Sequence, residues 1–92
     1  MKHAGPAALD RLEPLLKQLR ARDGLKEKSR GCFYLGGRGF LHFHEHGNDE
    51  LYADIRRGGD FVRLPAMTAV QHKVILGMTG KALGDGKRPH RR

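Results

Sequence analysis

Between Cys32 and Leu64 apolar and polar side chains alternate, and two glycine pairs, Gly36-Gly37 and Gly58-Gly59, cut the alternation into strand-sized lengths. A period of two places successive side chains on opposite faces of an extended chain, and paired glycines readily adopt the positive φ angles of tight hairpin turns. The segment therefore predicts four antiparallel strands, near 32–36, 39–46, 51–57 and 60–64, joined as a meander.

Register follows from which side chains must share a face, because a slip of one residue moves a whole strand to the other side. A turn at Gly58-Gly59 sets Arg57 opposite Asp60, Ile55 opposite Val62, Asp54 opposite Arg63 and Ala53 opposite Leu64. Aligning Leu41 and Phe43 with Leu51, Ala53 and Ile55 requires an odd-length loop around Gly47-Asn48-Asp49, which brings His42 near Asp54 and His44 near Tyr52. A two-residue turn at Gly37-Arg38 would put Cys32 and Tyr34 with Leu41 and Phe43, and Phe33 and Leu35 with Phe40 and His42.

Helices are expected on either side of this sheet. Leu9, Leu12, Leu16 and Leu19 recur at spacings of three and four, the mark of an amphipathic helix over 7–22, with Pro14 either kinking it or restarting it. Residues 25–31 read as a polar connection. Thr68 and Gln71 suit a capping box at the start of a second helix over 68–79, with Val70, Val74, Gly77 and Met78 inward. The resulting fold class is a two-layer α+β domain over residues 1–79: a four-stranded antiparallel meander with one helix before it and one after. Residues 80–92, rich in glycine and basic side chains, read as a disordered tail.

The helix-covered face would hold Cys32, Tyr34, Phe43, Ala53, Ile55 and Val62, leaving the other face to carry function. His42, His44 and His46 alternate on that second face, where side chains two apart lie about 7 Å from each other. A zinc ion commonly takes three protein ligands with one open position, so His42 and His44, with His46 or Asp54 as the third, form one candidate site. The same face mixes phenylalanines with Arg56 and Arg63, a combination that can stack bases and contact phosphates. Arg38 at a hairpin tip and Lys87, Arg88, Arg91 and Arg92 of the tail would extend such a nucleic-acid footprint. Phe33, Leu35, Phe40 and Phe61 together would make an unusually large apolar patch, which a homodimer or another protein could cover.

Charge supports the second of these readings. The net +8 divides into +4 over residues 1–31, zero over 32–79 and +4 over 80–92, a neutral body with basic flanks that attract nucleic acid or an acidic protein. No apolar run approaches the roughly 18 residues of a membrane span, and the lone Cys32 excludes an internal disulfide, so a soluble cytoplasmic protein is expected. Cys32 and the histidines fall on opposite faces, and no arrangement of carboxylates or serines suggests catalysis. A basic binding module, dimeric and without enzymatic activity, is the leading expectation. A divalent-metal protein and a subunit of a larger assembly are the alternatives.

The residues Gly31-Cys32-Phe33-Tyr34, Phe40-Leu41-His42-Phe43-His44-Glu45 and Ala53-Asp54-Ile55-Arg56 resemble a group of small uncharacterised bacterial proteins, over about the central half of the chain. The resemblance implies a bacterial cytosolic origin and carries over no functional residue.

Overall fold

The computed structural model describes residues 1–47 and 49–87, with side-chain surroundings through residue 84. Eight elements follow in order: β1 (Lys2–His3), α1 (Pro6–Arg20), β2 (Leu25–Ser29), β3 (Cys32–Leu35), β4 (Arg38–His46), β5 (Glu50–Arg57), β6 (Asp60–Pro65) and α2 (Ala69–Lys87). The fold is α+β with two helices, as the periodicity requires, but the antiparallel sheet has six strands where four are expected. Its order is β2-β3-β4-β5-β6, and β1 pairs with the outer end of β4, past the residues that β3 occupies.

α1 is one continuous helix despite Pro14. Leu12, Leu15, Leu16 and Leu19 are fully buried against the sheet while Pro14 lies on the exposed side. The lost backbone hydrogen bond and ring clash, about 3 kcal/mol in a helix interior, are offset by burying four leucines at roughly 1.5–3 kcal/mol each. Pro6 begins the helix, where a missing N–H costs nothing.

β2 replaces the expected polar connection. Glu27, on its partly covered side, accepts from Arg20 Nε at 2.5 Å and from the Gly31 backbone N–H at 2.9 Å. Arg20 also reaches Glu13 at 2.6 Å, and Arg30 bridges Asp10 at 2.9 Å and Glu13 at 3.0 Å, so ion pairs fasten this edge strand to α1. The two guanidinium groups hold the Glu13 carboxyl down at about 2. The outward Lys26 and Lys28 discourage another strand from adding here.

The meander from β4 to β6 has the expected register. Ile55 pairs with Val62, Asp54 with Arg63, His42 with Asp54 and His44 with Tyr52, around a three-residue connection between His46 and Glu50. The β3–β4 hairpin differs. Its turn is Gly36-Gly37, with φ angles of 61° and 81°, not Gly37-Arg38, so Leu35 faces Arg38 and Tyr34 faces Gly39. Phe33 then pairs with Leu41, which leaves Phe40 as one extra residue on β4, a bulge. The one-residue shift reverses β3: Phe33 enters the core at 1% exposure, while Cys32 and Tyr34, expected there, are only half-covered. The bulge lets the consecutive Phe40 and Leu41 both be buried. Phe33 and Phe40 are therefore core residues, which corrects their expected place in an exposed interface. Leu35 packs half-buried against the same core.

α2 begins as expected: Gln71 N–H donates to Thr68 Oγ1 at 3.1 Å and Thr68 N–H to Gln71 Oε1 at 3.0 Å. It runs past the expected end at residue 79 to Lys87, and residues 88–92 of the expected tail lie outside the described residues. The longer helix also turns a different face inward. Ile75, Thr79 and Leu83, one turn apart, are buried, whereas Val70 and Val74 are 71% and 49% exposed. Leu83 supplies an anchor that a helix ending at 79 would lack, and Thr79 Oγ1 donates to the Ile75 carbonyl at 2.9 Å so that its hydroxyl can be buried. No helix among the described residues is long and apolar enough to cross a membrane.

The β3 register makes opposite demands on two phenylalanines. Phe33→Ala should lower unfolding free energy by about 3–5 kcal/mol, as for a cavity in a packed core, and Phe61→Ala by about 1 kcal/mol or less. Chemical denaturation of the two variants checks this, and comparable small losses for both would contradict the assigned register.

Candidate metal centre

β4 alternates Leu41 and Phe43 toward the helices with His42 and His44 toward the uncovered face. β1 then adds a third imidazole. His3 is the direct cross-strand partner of His44, held there by the Ala4 N–H donating to the Phe43 carbonyl at 3.0 Å and the Gly5 N–H donating to Glu45 Oε2 at 2.6 Å. Ring centroids lie 4.6 Å apart for His3–His44, 5.0 Å for His42–His44 and 5.9 Å for His3–His42. One ring nitrogen of each lies within 4.8 Å of the other two. Nitrogens sharing a tetrahedral zinc at 2.0–2.1 Å stand about 3.3 Å apart, a distance that small side-chain rotations would reach.

Behind the rings is a carboxylate. Asp54, buried on β5, receives Arg63 Nε at 2.7 Å and its terminal nitrogen at 2.8 Å, and its Oδ2 sits 3.2 Å from His44 Nδ1. That last contact lacks hydrogen-bond geometry, so the Nδ1 atoms of both His42 and His44 are buried without a hydrogen-bond partner. Buried polar atoms are rarely left so, and two such nitrogens in one cluster mark a place where a further group belongs.

The surroundings disfavour the charged form of His42 and His44. Burial pushes His42 and His44 below the usual 6.5, and although the Asp54 charge pulls both back up, neighbouring imidazoles and Arg63 add to the lowering. Asp54 is itself held below its usual 3.8, first by the Arg63 hydrogen bonds, against the opposing effect of burial. A neutral imidazole is the metal-ligating form.

Of the histidine and carboxylate candidates from the sequence, His42 and His44 are together; His46 is exposed at the strand end opposite Glu50; and Asp54 is engaged by Arg63. His3 was missed, since a two-residue strand carries no periodicity, and only the pairing with β4 reveals it. Of the basic candidates, Arg63 is bound to Asp54, Arg56 donates to the Gly39 carbonyl at 2.7 Å and covers the Phe61 ring at 4.5 Å, and Arg38 is exposed beside the β3–β4 turn. The side chain of Lys87 and residues Arg88, Arg91 and Arg92 lie outside what the structure describes. Phe61, 41% exposed, remains on the histidine face with its ring 5.1 Å from His42. Comparison of the chain with known protein families, curated proteins and solved structures finds no match.

The lowered imidazoles tie stability to pH. The native state binds fewer protons at His42 and His44 than the unfolded chain does, so their contribution is complete above about 6.5 and is lost as pH falls through that value toward the native pKa. The Asp54 contribution is present above 3.8 and is lost only at lower pH. Metal-free protein should therefore lose thermal stability between pH 7 and 5, and His42→Gln with His44→Gln should flatten that dependence. A midpoint that stays constant or rises over this interval would contradict the burial assigned to the rings.

Proposed function

We propose that this chain is a small metal-binding module that holds a zinc-class divalent ion through His3, His42 and His44. The observation that carries the reading is the approach of three imidazoles within 4.8 Å, two of them with a buried nitrogen lacking any hydrogen-bond partner. All-nitrogen imidazole sets suit zinc, copper, nickel and iron, and discriminate against magnesium and calcium, which take oxygen. Three protein ligands leave one coordination position open, toward the exposed His3 side of the cluster. Asp54 Oδ2, 3.2 Å from His44 Nδ1 but outside hydrogen-bond geometry, would become a supporting carboxylate at His44 only after a small rotation of the ring.

Polyanion binding is the second reading, favoured by the net charge of +8. Base stacking on the sheet has less support, because Phe33 and Phe40 are buried and Arg56 and Arg63 are already partnered. What remains is a phosphate-tracking role for the basic flanks, with affinity for random DNA or RNA that falls steeply as salt rises.

Protein prepared without a polyhistidine tag should take up one zinc equivalent in a calorimetric titration. His42→Ala with His44→Ala should abolish uptake, His3→Ala should weaken it by about 10–100-fold or more, and His46→Ala should leave it unchanged. No uptake at micromolar zinc, or a His3→Ala variant that binds as tightly as the parent, would refute the site.

A further inference from the structure

A cavity of about 390 Å³ opens between the end of β5 and the middle of α2, on the side of the sheet away from the histidines. Its floor is apolar: Ile55 from the strand, Met78 and Ala82 from the helix. Met78, Lys81 and Ala82 are three and four residues apart and so share one helix face, while Ile55 and Arg57 share one strand face. The β5–β6 turn at Gly58-Gly59 has no side chain to fill the space between them.

Arg57 and Lys81 stand exposed at the mouth of this cavity, and neither makes an ion pair among the described residues. Arg56, also at the cavity wall, is tied to the Gly39 carbonyl and to Phe61. Two cations over an apolar floor would take an anionic head between the charges with a hydrocarbon body beneath. The volume lies at the small end of the roughly 300–1,000 Å³ of ligand sites.

We infer that this cleft binds a small amphipathic anion, a carboxylate or phosphate monoester on a short apolar body, with Arg57 and Lys81 holding the head and Ile55, Met78 and Ala82 the tail. The cleft shares no residue with the His3, His42 and His44 cluster, so the two readings stand or fall separately.

Methyl-resolved NMR titration of the full chain with octanoate and with octyl phosphate tests this, with octanol as the uncharged control. At least one anion should bind with shifts concentrated at the Ile55, Met78 and Ala82 methyls, and the tighter of the two identifies the head group. Octanol should bind about tenfold more weakly, as should both anions to an Arg57→Gln, Lys81→Gln variant, because each lacks the charge contacts at the cavity mouth. Because both side chains are exposed, that variant should keep the parent's thermal midpoint. The inference is overturned if neither anion shifts these methyls at millimolar concentration, if octanol binds equally well, or if the double variant retains full affinity.

Discussion

The alternation along β4 is the constraint from which the rest follows. Leu41 and Phe43 must reach the leucines of α1, and a strand that buries them has no choice but to send His42 and His44 to the opposite side. A shift by one residue would drive two imidazoles into a core of leucine and phenylalanine and expose the apolar pair in exchange. The histidine face is thus not an independent feature added to the fold. It is the other half of the packing that makes the fold stable.

The short strand β1 completes the arrangement by extending the sheet where β3 stops. Its two residues gain little from their own backbone pairing, and they are anchored by Glu45, whose carboxylate takes the Gly5 N–H as the chain turns into α1. The anchor places His3 against His44 and closes a face on which Asp54 is already clamped by Arg63. The buried carboxylate is matched by the Arg63 guanidinium, which donates one hydrogen bond to each of its oxygens. Imidazole nitrogens, not carboxylate oxygens, are what the face leaves without partners.

How much of this was legible in the sequence depended on how redundant the signals were. In β4–β5–β6, hydrophobic alternation, turn glycines and the Asp54–Arg63 and Arg57–Asp60 pairings all indicate one register, and that register is found. In β3 the run Gly36-Gly37-Arg38-Gly39 permits more than one two-residue turn, and nothing local marks Phe40 as a bulge, so Phe33 was assigned to the wrong face. β2 hides because Leu25-Lys26-Glu27-Lys28-Ser29 is as polar as a loop, and it is held by an ion pair to the preceding helix that no local periodicity reveals. The α2 stripe was misplaced because Gly80 and Gly84 look like stops, although burial of Leu83 outweighs their helix cost of roughly 1 kcal/mol each. Two ligands of the candidate centre were visible as His-x-His; the third could be found only through tertiary pairing.

X-ray absorption at the zinc edge of the loaded protein tests the central claim most directly, because it counts the imidazoles around the metal. The arrangement of β1 against β4 requires three histidine nitrogens at about 2.0–2.1 Å in a four-coordinate shell. A six-coordinate shell dominated by oxygen, with one imidazole or none, would contradict it.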